Sequence, residues 1–489
     1  MTDIPATVPQ TVATDGVQEG ARRLALIAVG GLLALLTNAI VFLLPPLLPV
    51  IQAQYQLTTV SAVTWIFTLL TLGSGAGFVL LPRLSDVIGD RSAAVIATAA
   101  LTLGALIAAV GNSYPTLLIG ATILGFGCGA QMLPLSFLRR TLGDSGLTTA
   151  VAVLVISTGI GIVVGMIGGG LIVEDLSVQD FFYILTAIFA LTALASFITI
   201  PRTTSATPRV AMGTIGVVWM IGWVAAILLA LTQGTVWGYT ALIPLAVGIV
   251  AAIAWVRAQR RSATPVFDIK LVRSPFVIAS CVSIALFAIV NSAFLVLLSN
   301  YAQMVPSDLP AGDGYGLGRT ALQTGLLMVP FAVTFLIGGI IAEKPVAAGR
   351  GGAVLIAGAL ISAAGLALLA VLHEQQWSYL VGAGIIGLGC AMGYAGCLAI
   401  AQMAVPEEEA GMAAAIGGTS MAVGFAVGSA IVTAILSIST VVIPGTETAV
   451  AKEYLYGVAY WISAGLALLI VVTVVVSQTR SRRRTAAAL

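Results

Sequence analysis

Apolar residues recur along this chain in fourteen long runs, near 24–44, 58–82, 92–111, 116–138, 147–173, 181–200, 211–231, 239–256, 274–298, 321–342, 352–372, 377–401, 410–437 and 457–477. A run of about 20 apolar residues is long enough to cross the hydrocarbon layer as a helix. Lipid offers no partner to an open peptide group, so each run is predicted to be helical. None has an Asp, Glu, Lys, Arg or His near its middle. The 19 acidic and 21 basic residues sit at run ends or between runs, and the single histidine, His373, follows the run ending at Leu372. The pattern predicts an all-α membrane protein whose interior carries no fixed charge.

Charge then orients the spans. With the amino terminus in the cytoplasm, the inner segments collect Arg22, Arg23, Arg83, Arg91, Arg139, Arg140, Arg202, Arg209, Arg257, Arg260, Arg261, Lys270, Arg273, Lys344, Arg350, Arg480, Arg482, Arg483 and Arg484, which leaves only Arg319 and Lys452 outside. This is the positive-inside bias, and it requires an even number of spans with both termini cytoplasmic. Hydrophobic residues make up 59% of the chain and charged ones 8%, against about 25% charged in soluble domains. A water-soluble fold and a nucleic-acid partner are excluded on that balance. The cysteines Cys128, Cys281, Cys390 and Cys397 all lie inside apolar runs, as expected of small packing residues rather than of a disulfide framework or a zinc site.

The chain also repeats itself. Ile123 to Cys128 matches Ile385 to Cys390, Gly161 and Gly165 match Gly424 and Gly428, and Ser157 falls opposite Ser420, all at offsets near 262. Asn38 in span 1 pairs with Asn291 in span 9 at an offset of 253. Six spans with their loops occupy about 180 residues, so two spans lie between the repeats, which share one direction through the membrane. The expected division is a disordered tail at 1–23, a six-helix bundle at 24–200, an extra helix pair with linkers at 201–273, a second six-helix bundle at 274–477 and a basic tail at 478–489.

These features resemble the major facilitator superfamily, in particular its fourteen-span drug:proton antiporter group. The loop from Pro82 to Arg91 matches the family's loop motif at Asp86, Gly89 and Arg91. Thr232-Gln233-Gly234 with Trp237-Gly238, and Gly325 to Pro330, are similar to that subgroup. The resemblance implies a major facilitator fold, two six-helix bundles plus two central helices, and transport coupled to protons. Three spans depart from the pattern: Leu36 and Asn38 stand where the family has an acid and a Thr, Ala121 where it has an Arg, and Gly165 to Gly170 lacks a Pro. These departures bear on coupling rather than on fold.

Asp86, Gly89 and Arg91 are the expected gating residues, since a charge-assisted contact between helix ends can be remade as two halves rock. Anchoring the loop is the competing role. With no acid in mid-span, Asp86 and Glu343 are the proton-coupling candidates. Asn38, Trp65, Gln131, Ser157, Asn291, Tyr394 and Ser420 are the expected substrate lining, because aromatic faces and uncharged polar groups suit lipophilic ligands of loosely defined shape. Each has helix packing or tethering as its alternative. The function expected is export of lipophilic or amphipathic small molecules by alternating access in the plasma membrane. A facilitator or importer of a neutral metabolite is the alternative. The working unit is expected to be a monomer, with no metal or cofactor, and catalysis would need a cluster of nucleophile, base or metal ligands that no span carries.

Overall fold

The computed structural model describes residues 11–111, 113–142, 144–202, 214–262, 275–310, 312–403, 410–446 and 448–488. Fifteen helices carry these residues: α1 (Thr11–Gln54), α2 (Val60–Ile88), α3 (Asp90–Val110), α4 (Tyr114–Cys128), α5 (Leu133–Leu142), α6 (Asp144–Asp175), α7 (Val178–Thr199), α8 (Thr214–Trp237), α9 (Leu242–Arg261), α10 (Pro275–Gln303), α11 (Ala321–Ala347), α12 (Gly351–Leu372), α13 (Gln376–Met403), α14 (Ala410–Leu436) and α15 (Tyr454–Ala488). A single 3-10 turn at Gly129–Met132 joins α4 to α5, so the two form one span. Among the described residues, thirteen segments are long and apolar enough to cross a membrane, and α8 adds a shorter apolar segment, Val218–Leu231.

Helix ends differ from the expected spans for local reasons. The first helix begins at Thr11 and the last runs to Ala488, so helix extends into both segments read as tails. The Ala- and Arg-rich stretch after Gln478 contains no breaker, and both residue types favour helix. A turn at Gly238, where φ is +54°, closes the α8–α9 pair. Residues Arg209, Lys270 and Arg273 of the expected inner segments lie outside the described residues. One element was not anticipated, an antiparallel hairpin of β1 (Thr440–Val442) and β2 (Ala449–Ala451) between α14 and α15. β-branched residues flanking Pro444-Gly445 are its sequence signal.

Packing makes the repeat physical. In a bilayer, small residues let helix backbones approach closely. A Cβ on Gly161 or Gly165 of α6 would lie 2.5 Å from Leu35 O or 2.4 Å from Ala39 O of α1. Gly424 and Gly428 of α14 meet Ala285 O and Ile289 O of α10 at 2.4 and 2.6 Å in the same way. A Cβ on Gly125 of α4 would fall 2.0 Å from Leu70 O of α2, and one on Gly387 of α13 would fall 2.2 Å from Phe331 O of α11. The first six spans and the last six are thus built on one packing scheme in two copies.

The same contacts correct one pairing. Gly161 touches Asn38 Cβ, and its counterpart Gly424 touches Ala288 Cβ. Asn38 therefore corresponds to Ala288, and Asn291 sits three residues further along its helix, nearly one turn away. The longer connection after α10, residues 304–320, accounts for the different offset of the first span pair.

Candidate functional site

The seam between the two halves is aromatic. Phe42 of α1 lies 6.3 Å from Phe331 of α11 and 6.5 Å from Phe425 of α14, ring centre to ring centre, and Phe67 of α2 lies 6.3 Å from Phe425. From Phe331 the series continues through Phe335, at 5.9 Å, to Tyr394, a further 6.2 Å away on α13. Edge-to-face and offset contacts at these spacings are the favoured arrangements of aromatic pairs. Position along α2 decides which ring enters the seam: Phe67 does, whereas Trp65 packs against a cluster of Leu72 of α2, Val224 and Leu228 of α8, and Ala426 and Ala430 of α14. Trp65 therefore faces the extra helix pair.

Asn38 and Gln131 come together in the first half. Asn38 Nδ2 donates to Ala34 O at 2.7 Å and to Thr158 Oγ1 at 3.2 Å, and Gln131 Nε2 donates to Asn38 Oδ1 at 3.4 Å. This network ties α1 to α6 and to the 3-10 turn of the fourth span. Ser157 is buried against Gly31, whose Cβ would lie 3.0 Å from the hydroxyl. Ser420 donates to Ile416 O at 2.9 Å, within its own helix. Both serines stand at helix contacts, which matches their place in the repeat.

Asn291 and Tyr394 come together in the second half and behave differently. The Tyr394 hydroxyl faces the Asn291 side chain, yet neither it nor Asn291 Oδ1 has a partner in hydrogen-bonding geometry. Buried polar groups are ordinarily paired, and these two have only each other to turn to. Phe287 at 5.8 Å and Phe335 flank the phenol. A ligand there meets apolar ring faces, one amide and one hydroxyl.

At the face where α1 begins, rich in arginine, Gly89 makes the turn from α2 into α3 with φ at +92°. An L side chain is strained there, which explains the glycine. Asp86 accepts from Arg140 Nη2 at the end of α5, and Arg140 Nη1 reaches Asp90 Oδ1 at 3.1 Å. Asp90 is 1% exposed and also accepts from Ser85. Arg91 Nε donates to Ile200 O at 2.6 Å and its guanidinium lies 5.4 Å from the centre of the Phe197 ring. Asp86 and Arg91 thus hold different neighbours, and both of those belong to the first six spans. Glu343 is exposed at the end of α11.

Sequence reasoning missed Asp90, Arg140, Thr158 and the seam phenylalanines. Asp90 had a legible signal, an acid opening a helix directly after a turn glycine. The phenylalanines had none, since an apolar ring in an apolar span gives no hint of which way it faces.

Comparison with known proteins supplies the family. A model of the Major Facilitator Superfamily matches residues 27–213, 209–429 and 348–488. The chain is 26% identical over 450 residues to multidrug resistance protein Stp of Mycobacterium tuberculosis, covering 87% of this chain and 78% of that protein. It is also 26% identical over 416 residues to multidrug efflux pump LfrA of Mycolicibacterium smegmatis, covering 83% and 79%. Puromycin resistance protein pur8 of Streptomyces alboniger is 26% identical over 403 residues, covering 78% and 76%. Among solved structures, a mutant of the nucleoside transporter NupG superposes with a TM-score of 0.63 at 13% identity, covering 93% of this chain and 99% of that one. The human organic anion transporter MFSD10 gives 0.59 at 14%, with the same coverage. Both likenesses are of fold. With its two copies of one six-helix packing scheme and a family match running nearly end to end, the chain belongs to the Major Facilitator Superfamily and is a multi-pass membrane transporter.

Proposed function

We propose that this transporter exports lipophilic or amphipathic small molecules, including drugs, from the cell across the plasma membrane, with the arginine-rich face and both termini in the cytoplasm. The observation that carries the reading is the aromatic seam, which crosses from one half to the other and ends at the unmet Asn291 and Tyr394 pair. Rings recognise flat apolar surface without fixing its shape. An amide and a phenol add hydrogen bonds without selecting a charge, so neutral or weakly ionised compounds are favoured. The relatives named for multidrug resistance and efflux support the same reading.

The cycle is alternating access of the two six-span halves around the seam. Asp86, Gly89 and Arg91 act by tying the cytoplasmic ends of α2, α3, α5 and α7 into one block that moves together. Asn38, Gln131, Trp65, Ser157 and Ser420 keep the helices of that scaffold in register, and substrate contact falls to Asn291 and Tyr394. Proton coupling belongs to the proposal, with Asp86 and Glu343 as its cytoplasmic candidates and a monomer as the working unit.

The test loads everted vesicles with a panel of lipophilic dyes and drugs, with and without an imposed pH gradient. Uptake against the substrate gradient that collapses when the pH gradient is dissipated is the expected result. Flux that follows the substrate gradient alone, at any pH, assigns the chain to the facilitator class instead.

A further inference from the structure

At the far face, the outer one in the reading above, the last six spans hold a second polar aromatic cluster that the transport pathway does not use. His373 caps α12 and is 9% exposed, and neither Nδ1 nor Nε2 has a hydrogen-bond partner. Its ring meets Tyr301 of α10 edge to face at 5.2 Å and Tyr460 of α15 at 6.4 Å, and Gly457 of α15 closes the remaining side. Tyr379 of α13 tilts against Tyr301 at 6.0 Å, and the hydroxyls of Tyr379 and Tyr460 face each other. An imidazole buried with neither nitrogen paired is costly, because each buried polar atom loses free energy unless something pairs with it.

We propose that His373 is a proton-binding site of the outer face, and that proton uptake there loosens the closure of that face. An imidazole is the side chain whose ordinary charge change falls between about pH 5 and 8. One ring nitrogen takes the proton from external hydronium, leaving water, and the ring becomes a cation with two donors. The closed packing gives that cation nothing anionic to pair with, since no ion pair to His373 exists among the described residues.

Two carboxylates stand near the cluster. Glu374 follows His373 in the chain and is exposed, and Glu453 accepts from the Tyr301 hydroxyl at 3.3 Å. No other charged group faces the imidazole from α10, α13 or α15. The tyrosines stay neutral throughout: burial pushes the Tyr315 hydroxyl, in the loop beside them, up to about 12. For the imidazolium to reach Glu453, Tyr301 must release it, and Tyr301 packs on Tyr315, at 5.6 Å. Tyr315 donates to Ala451 O at 2.5 Å, on the strand whose Ala449 N–H donates to Thr58 O of the first half at 3.0 Å. The cluster is thus joined by contacts to a hydrogen bond that links the two halves at the outer face.

The test exploits the chain's single histidine. Full-length protein carrying labelled histidine and a histidine-free tag gives one imidazole signal in magnetic resonance. Spin labels at Thr58→Cys and Thr446→Cys, with the four native cysteines replaced by alanine, report the outer distance without any substrate. The expected result is a signal that changes on acidification, with a longer-distance population that grows in step with it. His373→Phe, which keeps a ring in the cage, abolishes the pH response of the distance. A signal that stays flat, or a distance change that persists in His373→Phe, overturns the proposal. Because no exported compound is involved, either outcome leaves the export reading to its own vesicle assay.

Discussion

The two halves share a skeleton and differ in where they leave polar groups unsatisfied. In the first half the mid-membrane amides are spent on each other: Asn38 is held by Gln131, Thr158 and Ala34 O. In the second half Asn291 Oδ1 and the Tyr394 hydroxyl are buried and unmet. The ends differ in the same sense. Charged groups tie the arginine-rich face of the first half through Arg140, Asp86 and Asp90, whereas neutral phenols and an unpaired imidazole crowd the far face of the second. Glycine contacts set the architecture in both copies, and in the proposed function the polar residues divide the work, the first half toward rigidity and the second toward recognition.

The shared skeleton gives the largest predicted effect. Gly125→Ala and Gly387→Ala each place a methyl about 2 Å from a carbonyl oxygen of the neighbouring helix, where only movement of a backbone relieves the overlap. Each is expected to cost about 3 kcal/mol, the upper end for overpacking, read as loss of folded protein on detergent thermal melts. The comparison predicts equal losses at the two positions. One tolerant and one intolerant site would show that the two copies do not carry the same load.

Arg140→Ala comes next and probes the charged end. It takes the Arg140 contact away from Asp90, which is 1% exposed. Removing one partner of a fully buried pair costs about 3–5 kcal/mol. The Arg140 side chain is 41% exposed and partly screened, so about 2 kcal/mol is expected. Asp90→Asn in the Arg140→Ala background is expected to restore part of the melting temperature. No restoration would mean that the arginine acts through Asp86 instead.

How much of this was legible in the chain follows from what each feature needs. Span number and the repeat were readable because lipid forces helices and because Gly161, Gly165, Gly424 and Gly428 carry the packing in their identity. The Asn38 and Asn291 pairing failed because residue type was matched without a packing register to check it. Of the candidate lining, Asn291 and Tyr394 share one place, as do Asn38 and Gln131, while Trp65, Ser157 and Ser420 face neighbouring helices, Ser420 through Cys281 of α10. A helix in lipid buries residues all round, so the usual amphipathic signal for a residue's direction is missing. Asp86 and Arg91 were found as loop residues, but their partners Arg140 and Ile200 lie 54 and 109 residues away in sequence, beyond any local pattern.

Smaller effects separate structure from recognition. Asn38→Ala removes a network that joins α1, α6 and the fourth span, at about 1 kcal/mol, typical of interhelical hydrogen bonds in membranes. Thermal melts should register it, with the range of exported compounds unchanged. Asn291→Ala removes an amide that faces only the Tyr394 hydroxyl, so its melting point is expected to fall no further than that of Asn38→Ala, by about 1 kcal/mol at most, while the substrate range shifts. Opposite results for the two variants would reverse the division of labour between the halves.

The smallest effect on stability belongs to Asp86→Asn. The Asp86 side chain is 56% exposed, and its contact with Arg140 is shared with the buried Asp90. An exposed pair contributes about 0–1 kcal/mol, so protein amount and melting point should hardly change. Transport is the readout that matters. If Asp86 helps to bind the cytoplasmic ends into one moving block, the variant inserts normally and exports more slowly. Unchanged export at unchanged abundance would assign that block to Asp90 and Arg140 alone, and would locate the rigidity of the first half in its buried carboxylate.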